Sequence, residues 1–216
     1  MKTKALIFDL DGVIVDTAKF HFMAWKKLSD ELGLFFDEAV NERLKGVSRM
    51  KSFEIILEVN GAEDRFTESE KEELIKKKND IYVSFVKTLT PEDMLPGISE
   101  FIDRAKAAGL KCAVASVSKN APLVLSCLGA ADKFDYVADA SKVTKSKPAP
   151  DIFLVCAEAL GVDPADCIGI EDAQAGIEAI KAAGMFSVGI NVTVTSVEPD
   201  LHLKSTSELD FDKIVF

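Results

Sequence analysis

The chain has 216 residues, 48% of them hydrophobic, and a formal net charge of −10. This is enough for a sizeable core in one large domain, or in a domain that carries an insertion. The acidic balance argues against nucleic acid or an anionic membrane as the main partner. No apolar run reaches transmembrane length, and acids interrupt the first apolar stretch too early for a signal peptide.

Residues Lys4–Phe8 are predicted as a short buried strand, and "ALIFDLDGVIVDT" then places Asp9, Asp11 and Gly12 directly behind it. Taken alone, Asp9 can simply close a strand and Asp11-Gly12 can make a turn. From about Lys19 to Leu89 the pattern is helical. Phe20, Ala24, Leu28 and Leu32 recur at helical spacing, and so do Leu74, Ile81, Tyr82, Phe85 and Leu89. Lys78 falls on the second of these stripes, where an apolar residue is expected, and a snorkelling side chain is its ordinary explanation. The acidic run "ESEKEEL" suits a solvated helix face.

After this insert the character changes. "GISEFIDRAKAAGLKCAVAS" predicts a helix, a stop at Gly109 and a buried strand up to Ser116. "APLVLSCLGAADKFDYVAD", "PDIFLVCAEALGVDPADCIGIED" and "QAGIEAIKAAGMFSVGI" repeat the helix–strand unit. Repeated units with continuous apolar strands predict a doubly wound parallel α/β sheet, a Rossmann-like core covered on both faces. The first strand belongs to that core, so the domain is split: residues 1–16 and 90–216 form it, and 17–89 form an inserted α-helical domain. The four cysteines, Cys112, Cys127, Cys156 and Cys167, lack metal-ligand spacing and are expected as buried free thiols, with the cytoplasm as compartment.

In open parallel sheets ligands bind outside the carboxyl ends of the strands. Those ends carry Asp9 and Asp11, Ser116, and Glu171 with Asp172, while Lys147 in "SKPAPD" stands just before a helix. Carboxylates from two strands suit a hard divalent cation, most simply Mg²⁺, and a serine and a lysine suit phosphate oxygens. A carboxylate in line with phosphorus can act as nucleophile. A second carboxylate two residues on faces the same side and can move protons to and from the bridging oxygen.

"DLDGVIVDT", the Ser116 segment, Lys147 in "KPAPD" and "EDAQAGIEAIKAAG" resemble the four motifs of the haloacid dehalogenase superfamily, in order and spacing. The insert resembles that superfamily's α-helical cap. The resemblance implies Asp9 as nucleophile and Asp11 as general acid/base. It implies metal binding by the Asp9 side chain, the Asp11 carbonyl and Asp172, with Glu171 beside the metal. "DTAKFHFMAWKKL", "LKGVSR", "KKND", "SVSKNAP" and "SKPAPDIF" narrow it to the superfamily's sugar-phosphate mutases. That branch exchanges phosphate between the 1- and 6-positions of beta-D-glucose through a 1,6-bisphosphate.

This narrower resemblance implies roles for Thr17, His21, Trp25, Gly46, Val47, Ser48, Arg49, Lys78, Ser116, Ser118, Lys119 and Asn120. Several have simpler explanations: Trp25 as packing, Ser48 as a helix N-cap, His21 as a partly exposed helix residue. Arg49 offers a planar fork suited to phosphate. No functional motif is recognised after about Val192. The expected partners are small sugar phosphates, acting on a monomer. A phosphatase of the same superfamily shares the core motifs and lacks the need for a distal phosphate grip. A phospho-receiver domain shares the sheet, acids and lysine, but has its acceptor acid mid-chain and no insert.

Overall fold

The computed structural model describes residues 2–44, 48–139 and 142–216. Gly46 and Val47 lie outside the described residues. The chain divides into two compact units, one of residues 1–16 and 89–216, the other of residues 17–88.

The first unit is built on six parallel strands in the order β3-β2-β1-β4-β5-β6. These are β1 (Ala5–Phe8), β2 (Lys111–Val114), β3 (Tyr136–Val137), β4 (Cys167–Glu171), β5 (Phe186–Ile190) and β6 (Leu201–Leu203). β1 is central and buried on both faces, which explains its unbroken apolar run. Ala5 and Ile7 pack on one face with Phe153 and Cys156 of α7 (Asp151–Leu160) and Ile177 and Ile180 of α8 (Gln174–Ala182). Phe8 turns to the other face, edge-on to Phe101 of α5 (Ile98–Ala107) and to Phe134. α6 (Ala121–Cys127) links β2 to β3, and α9 (Phe211–Ile214) closes the chain.

α5 stops as the sequence predicts. Gly109, at φ 78°, donates to the Lys106 carbonyl, and Leu110 donates to the Ala105 carbonyl. Predicted and observed elements differ at the edges. β2 ends at Val114, two residues before Ser116, and Lys4 precedes β1. β6 and α9 carry no signal strong enough to be predicted, being three and four residues long.

The second unit is all helical: α1 (Ala18–Leu32), α2 (Glu38–Glu42), α3 (Arg49–Val59) and α4 (Glu68–Val86). Its core gathers Trp25, Leu28, Phe36, Phe53, Ile56 and Leu57. The acidic run makes the first two turns of α4, where Thr67 and Glu70 form a reciprocal cap. Among the described residues no helix is long and apolar enough to cross a membrane. All four cysteines are free; Cys112, Cys156 and Cys167 are buried as expected, whereas Cys127, at the end of α6, is only half-buried.

Candidate active site

β1 runs between β2 and β4 with Phe8 opposite both Val114 and Ile170, so the three strands end at one level. The strand order reverses between β1 and β4, which makes this edge the switch point where such sheets bind ligands. Asp9 follows β1, and its backbone N–H donates to the Ile170 carbonyl at 2.9 Å. Glu171 is the last residue of β4.

Lys147 ties the two together. Its ammonium donates to Asp9 Oδ1 and, at 2.5 Å, to Glu171 Oε1. The other Glu171 oxygen accepts from the backbone N–H groups of Asp172 (2.7 Å) and Ala173 (2.8 Å). Glu171 is thus buried yet fully partnered, as a buried carboxylate must be. Carboxylate oxygens of Asp9, Glu171 and Asp172 lie within 4.8 Å of one another.

Such crowding raises carboxyl pKa values. Burial pushes Asp9 above the usual carboxylate range; Lys147 pulls it back, while the charges of Glu171 and Asp11 push it further up. Burial and then the charges of Glu171 and Asp9 raise Asp172. Burial works against the charge on Lys147, but Asp9 and Glu171 outweigh it and hold the amine above its ordinary range. A cluster of three carboxyls beside one lysine, in which burial and neighbouring charge raise Asp9 and Asp172, fits a hard divalent cation. Glu171 is committed to donors, whereas Asp9 is bonded to Lys147 through Oδ1 alone, so Asp9 and Asp172 would be the side chains to ligate it.

Two glycines missed as site residues make this packing feasible. Gly12 takes φ 78°, and a Cβ there would overlap the Asp172 carboxylate. A Cβ on Gly176, in the first turn of α8, would overlap the Glu171 carboxylate. Their presence inside "DLDG" and "EDAQAG" was the available signal. Asp11 is half-buried in the turn after β1, where it bridges to Val15. Ser116 is buried, and its hydroxyl accepts from the Ser118 N–H at 3.2 Å. The Ser118 hydroxyl accepts from the Asn120 N–H, and Lys119 is exposed.

The helical unit holds a separate cluster. Lys78 is 2% exposed, so it does not snorkel. Its ammonium lies 2.8 Å from His21 Nδ1 and over the faces of Trp25 (4.9 Å) and Tyr82 (5.4 Å). His21 stacks on Tyr82 with ring centroids 4.1 Å apart. Burial and the Arg49 charge lower Lys78 to about 7. Burial, Lys78 and Arg49 lower His21 to about 3, which keeps its ring neutral. Arg49 is the first residue of α3, and Ser48 is its N-cap, accepting from the Lys51 N–H at 3.2 Å. Trp25 packs parallel to Phe53 in the unit's core. Thr17 is buried at the start of α1, and its carbonyl accepts from the Phe20 N–H.

A parallel sheet with a lysine-bridged acid cluster at its switch point defines a phosphoryl-transfer fold of the haloacid dehalogenase type. The family model of the haloacid dehalogenase-like hydrolases matches residues 3–184, and the chain belongs to that family. The chain is 48% identical over 209 residues to the beta-phosphoglucomutase of Bacillus subtilis, covering 97% of this chain and 92% of that protein. It superposes on the crystal structure of beta-phosphoglucomutase from Clostridium difficile with a TM-score of 0.86. There the identity is 47%, over 98% of this chain and 95% of the other. It is also 33% identical over 189 residues to the fructose-1-phosphate phosphatase YqaB of Escherichia coli, covering 87% of this chain and 96% of that protein.

Proposed function

We propose that this chain is a sugar-phosphate mutase that interconverts beta-D-glucose 1-phosphate and beta-D-glucose 6-phosphate. The observation that carries the reading is the Asp9–Lys147–Glu171 bridge with Asp172 beside it, in a chain nearly half identical to beta-phosphoglucomutases.

Asp9 is the nucleophile. A carboxylate oxygen bonds to phosphorus as the phosphorus–oxygen bond to the sugar breaks, leaving an aspartyl-phosphate. Asp11 donates a proton to the departing sugar oxygen and removes one from the next hydroxyl that attacks. The phosphorylated enzyme transfers its phosphoryl group to the 6-hydroxyl of glucose 1-phosphate. The resulting 1,6-bisphosphate turns round and returns its 1-phosphate to Asp9, releasing glucose 6-phosphate.

Lys147 favours the anionic form of Asp9 against burial and offers charge to the transferring group. Asp9, Asp172 and the Asp11 carbonyl, with Glu171 beside them, would hold Mg²⁺, which would supply positive charge to offset that of the carboxylates and the phosphate. Ser116 binds a phosphate oxygen, and Ser118, Lys119 and Asn120 line the same strand end. The helical unit is the counterpart of the superfamily's cap: Thr17 lies at its hinge, His21 meets the sugar with the buried Trp25 and Lys78 behind it, and Arg49 grips the second phosphate. We place the protein in the cytoplasm as a monomer.

The test is product partition. With Mg²⁺, beta-glucose 1-phosphate and a trace of bisphosphate, glucose 6-phosphate should form in large excess over free phosphate. Free phosphate in equal or greater yield would favour a sugar-phosphate phosphatase, the activity named for the Escherichia coli relative.

A further inference from the structure

Helix α8 begins directly behind the acid cluster, and its first residue, Gln174, has no part in the chemistry above. Its side-chain amide is nonetheless used at both ends. Gln174 Oε1 accepts from the Thr195 N–H at 2.8 Å, and its Nε2 donates to the Val197 carbonyl at 3.1 Å. The same Nε2 lies 3.4 Å from Glu178 Oε1, which also accepts from the Ser196 hydroxyl. Three successive residues of the β5–β6 connection are therefore gripped by the first two turns of α8. Val194 and Val197 pack on the sheet core, so the grip ties α8 to a fixed part of the unit.

The turn ahead of α8 is stiff within itself. The N–H groups of Asp172 and Ala173 bind Glu171, and Gly176 closes over the same carboxylate. Residues 171–176 are thus tied to one another through the Glu171 carboxylate. That piece must hold the Asp172 carboxylate against Gly12, where there is no room for even one added carbon. A small tilt at the start of α8 is enough to spoil the spacing of Asp172 from Asp9.

We propose that Gln174 is a positioning residue: by clamping residues 195–197 it fixes the 171–176 turn, and so sets the place of Asp172 as a ligand for the divalent cation. The inference rests on the metal reading given under the proposed function.

The test measures Mn²⁺ binding to the full chain by calorimetry and by the loss of the free Mn²⁺ paramagnetic resonance signal, without substrate. Gln174→Met keeps length and packing and removes all three hydrogen bonds of the amide. It should weaken Mn²⁺ binding about tenfold or more, the usual effect of losing an outer partner of a metal site. Gln174→Glu keeps the acceptor for Thr195 and loses the donor to Val197, and should fall between parent and Gln174→Met. Ser196→Ala loosens the same connection through Glu178 alone and should change affinity less than about twofold. Parent-like Mn²⁺ binding by Gln174→Met, or a loss no greater than that of Ser196→Ala, overturns the assignment. A parent chain that binds no Mn²⁺ overturns the metal reading instead, and is seen before any variant is compared. Should Gln174→Met fail to fold, Gln174→Glu decides: parent-like affinity in that variant also overturns it.

Discussion

Glu171 and Gly176 divide one volume between them. The carboxylate at the end of β4 folds back over the first turn of α8, and only a residue without a side chain leaves space for it there. From that position it reaches Lys147 at 2.5 Å and the N–H groups of Asp172 and Ala173. Gly176→Ala should therefore expel the carboxylate and disturb Lys147 and Asp9 together. We expect a loss of activity of about 10² or more, since small misplacements of reacting groups cost on that scale. Steady-state rates combined with the thermal midpoint check it. Activity within a few-fold of the parent would show that Glu171 has another place to go.

The strand ends were legible because chemistry and periodicity coincide there. "ALIFDLDG" and "IGIEDAQAG" each run an apolar strand into acids, and one sheet edge is where such ends must meet. The bond between Lys147 and both acids was not legible, because "SKPAPD" is irregular chain whose course no period describes. Nor was the burial of Lys78. Its place on an apolar stripe was evident, but snorkelling and burial give the same sequence. What decides is the ring of Trp25, Tyr82 and His21, contributed by two helices far apart in the chain. The grip of Gln174 on residues 195–197 joins a recognisable motif to a stretch with no recognised motif, so sequence shows only half of it.

Asp9 and Asp11 should separate cleanly by variant. Asp9→Asn replaces the attacking oxygen by a neutral amide and should abolish both turnover and covalent phosphorylation. Retained phosphoprotein in that variant would remove Asp9 from its role. Asp11→Asn keeps the backbone carbonyl assigned to the cation. It should still cost about 10²–10⁴ in rate, the worth of a positioned proton donor. A loss under about threefold with a sugar phosphate would contradict that role.

Lys78 should make stability depend on pH. Its amine titrates near 10.5 when free and is lowered to about 7 in the fold, by burial first and then by the Arg49 charge. Between these values the unfolded chain holds a proton that the folded chain has released. Stability from this group therefore rises with pH across the window, and below about 7 the fold carries a buried charge at a cost. Lys78→Met, of similar length, should raise the thermal midpoint at pH 6 by several degrees, and much less at pH 9. The groups beside Lys78 that bear on this are His21, held neutral, and the Arg49 guanidinium. An equal shift at both pH values would show that packing and not charge is responsible. The same variant should lose sugar-phosphate turnover, so the stability gain and the catalytic loss are read from one protein.

Arg49 distinguishes mutase from phosphatase. A mutase must hold its bisphosphate in two orientations, with one phosphate at Asp9 and the other gripped at a distance, whereas a phosphatase acting on a small ester needs no second grip. Arg49 stands at the first position of α3, behind the Ser48 cap. There its guanidinium lies close enough to lower both Lys78 and His21, so Arg49 is the cation that this corner of the helical unit favours. A fork of this kind makes two charge-assisted hydrogen bonds to a phosphate. Arg49→Ala should depress conversion of glucose 1-phosphate to glucose 6-phosphate far more than cleavage of a small phosphate ester. Arg49→Lys should recover only part of the mutase rate, because it restores charge without the planar fork. The measured quantity is the ratio of the two activities in each variant. Should both fall by the same factor, Arg49 acts on something common to the two reactions and is no distal grip. The phosphatase reading then gains, because the residue that set the mutase apart no longer does so.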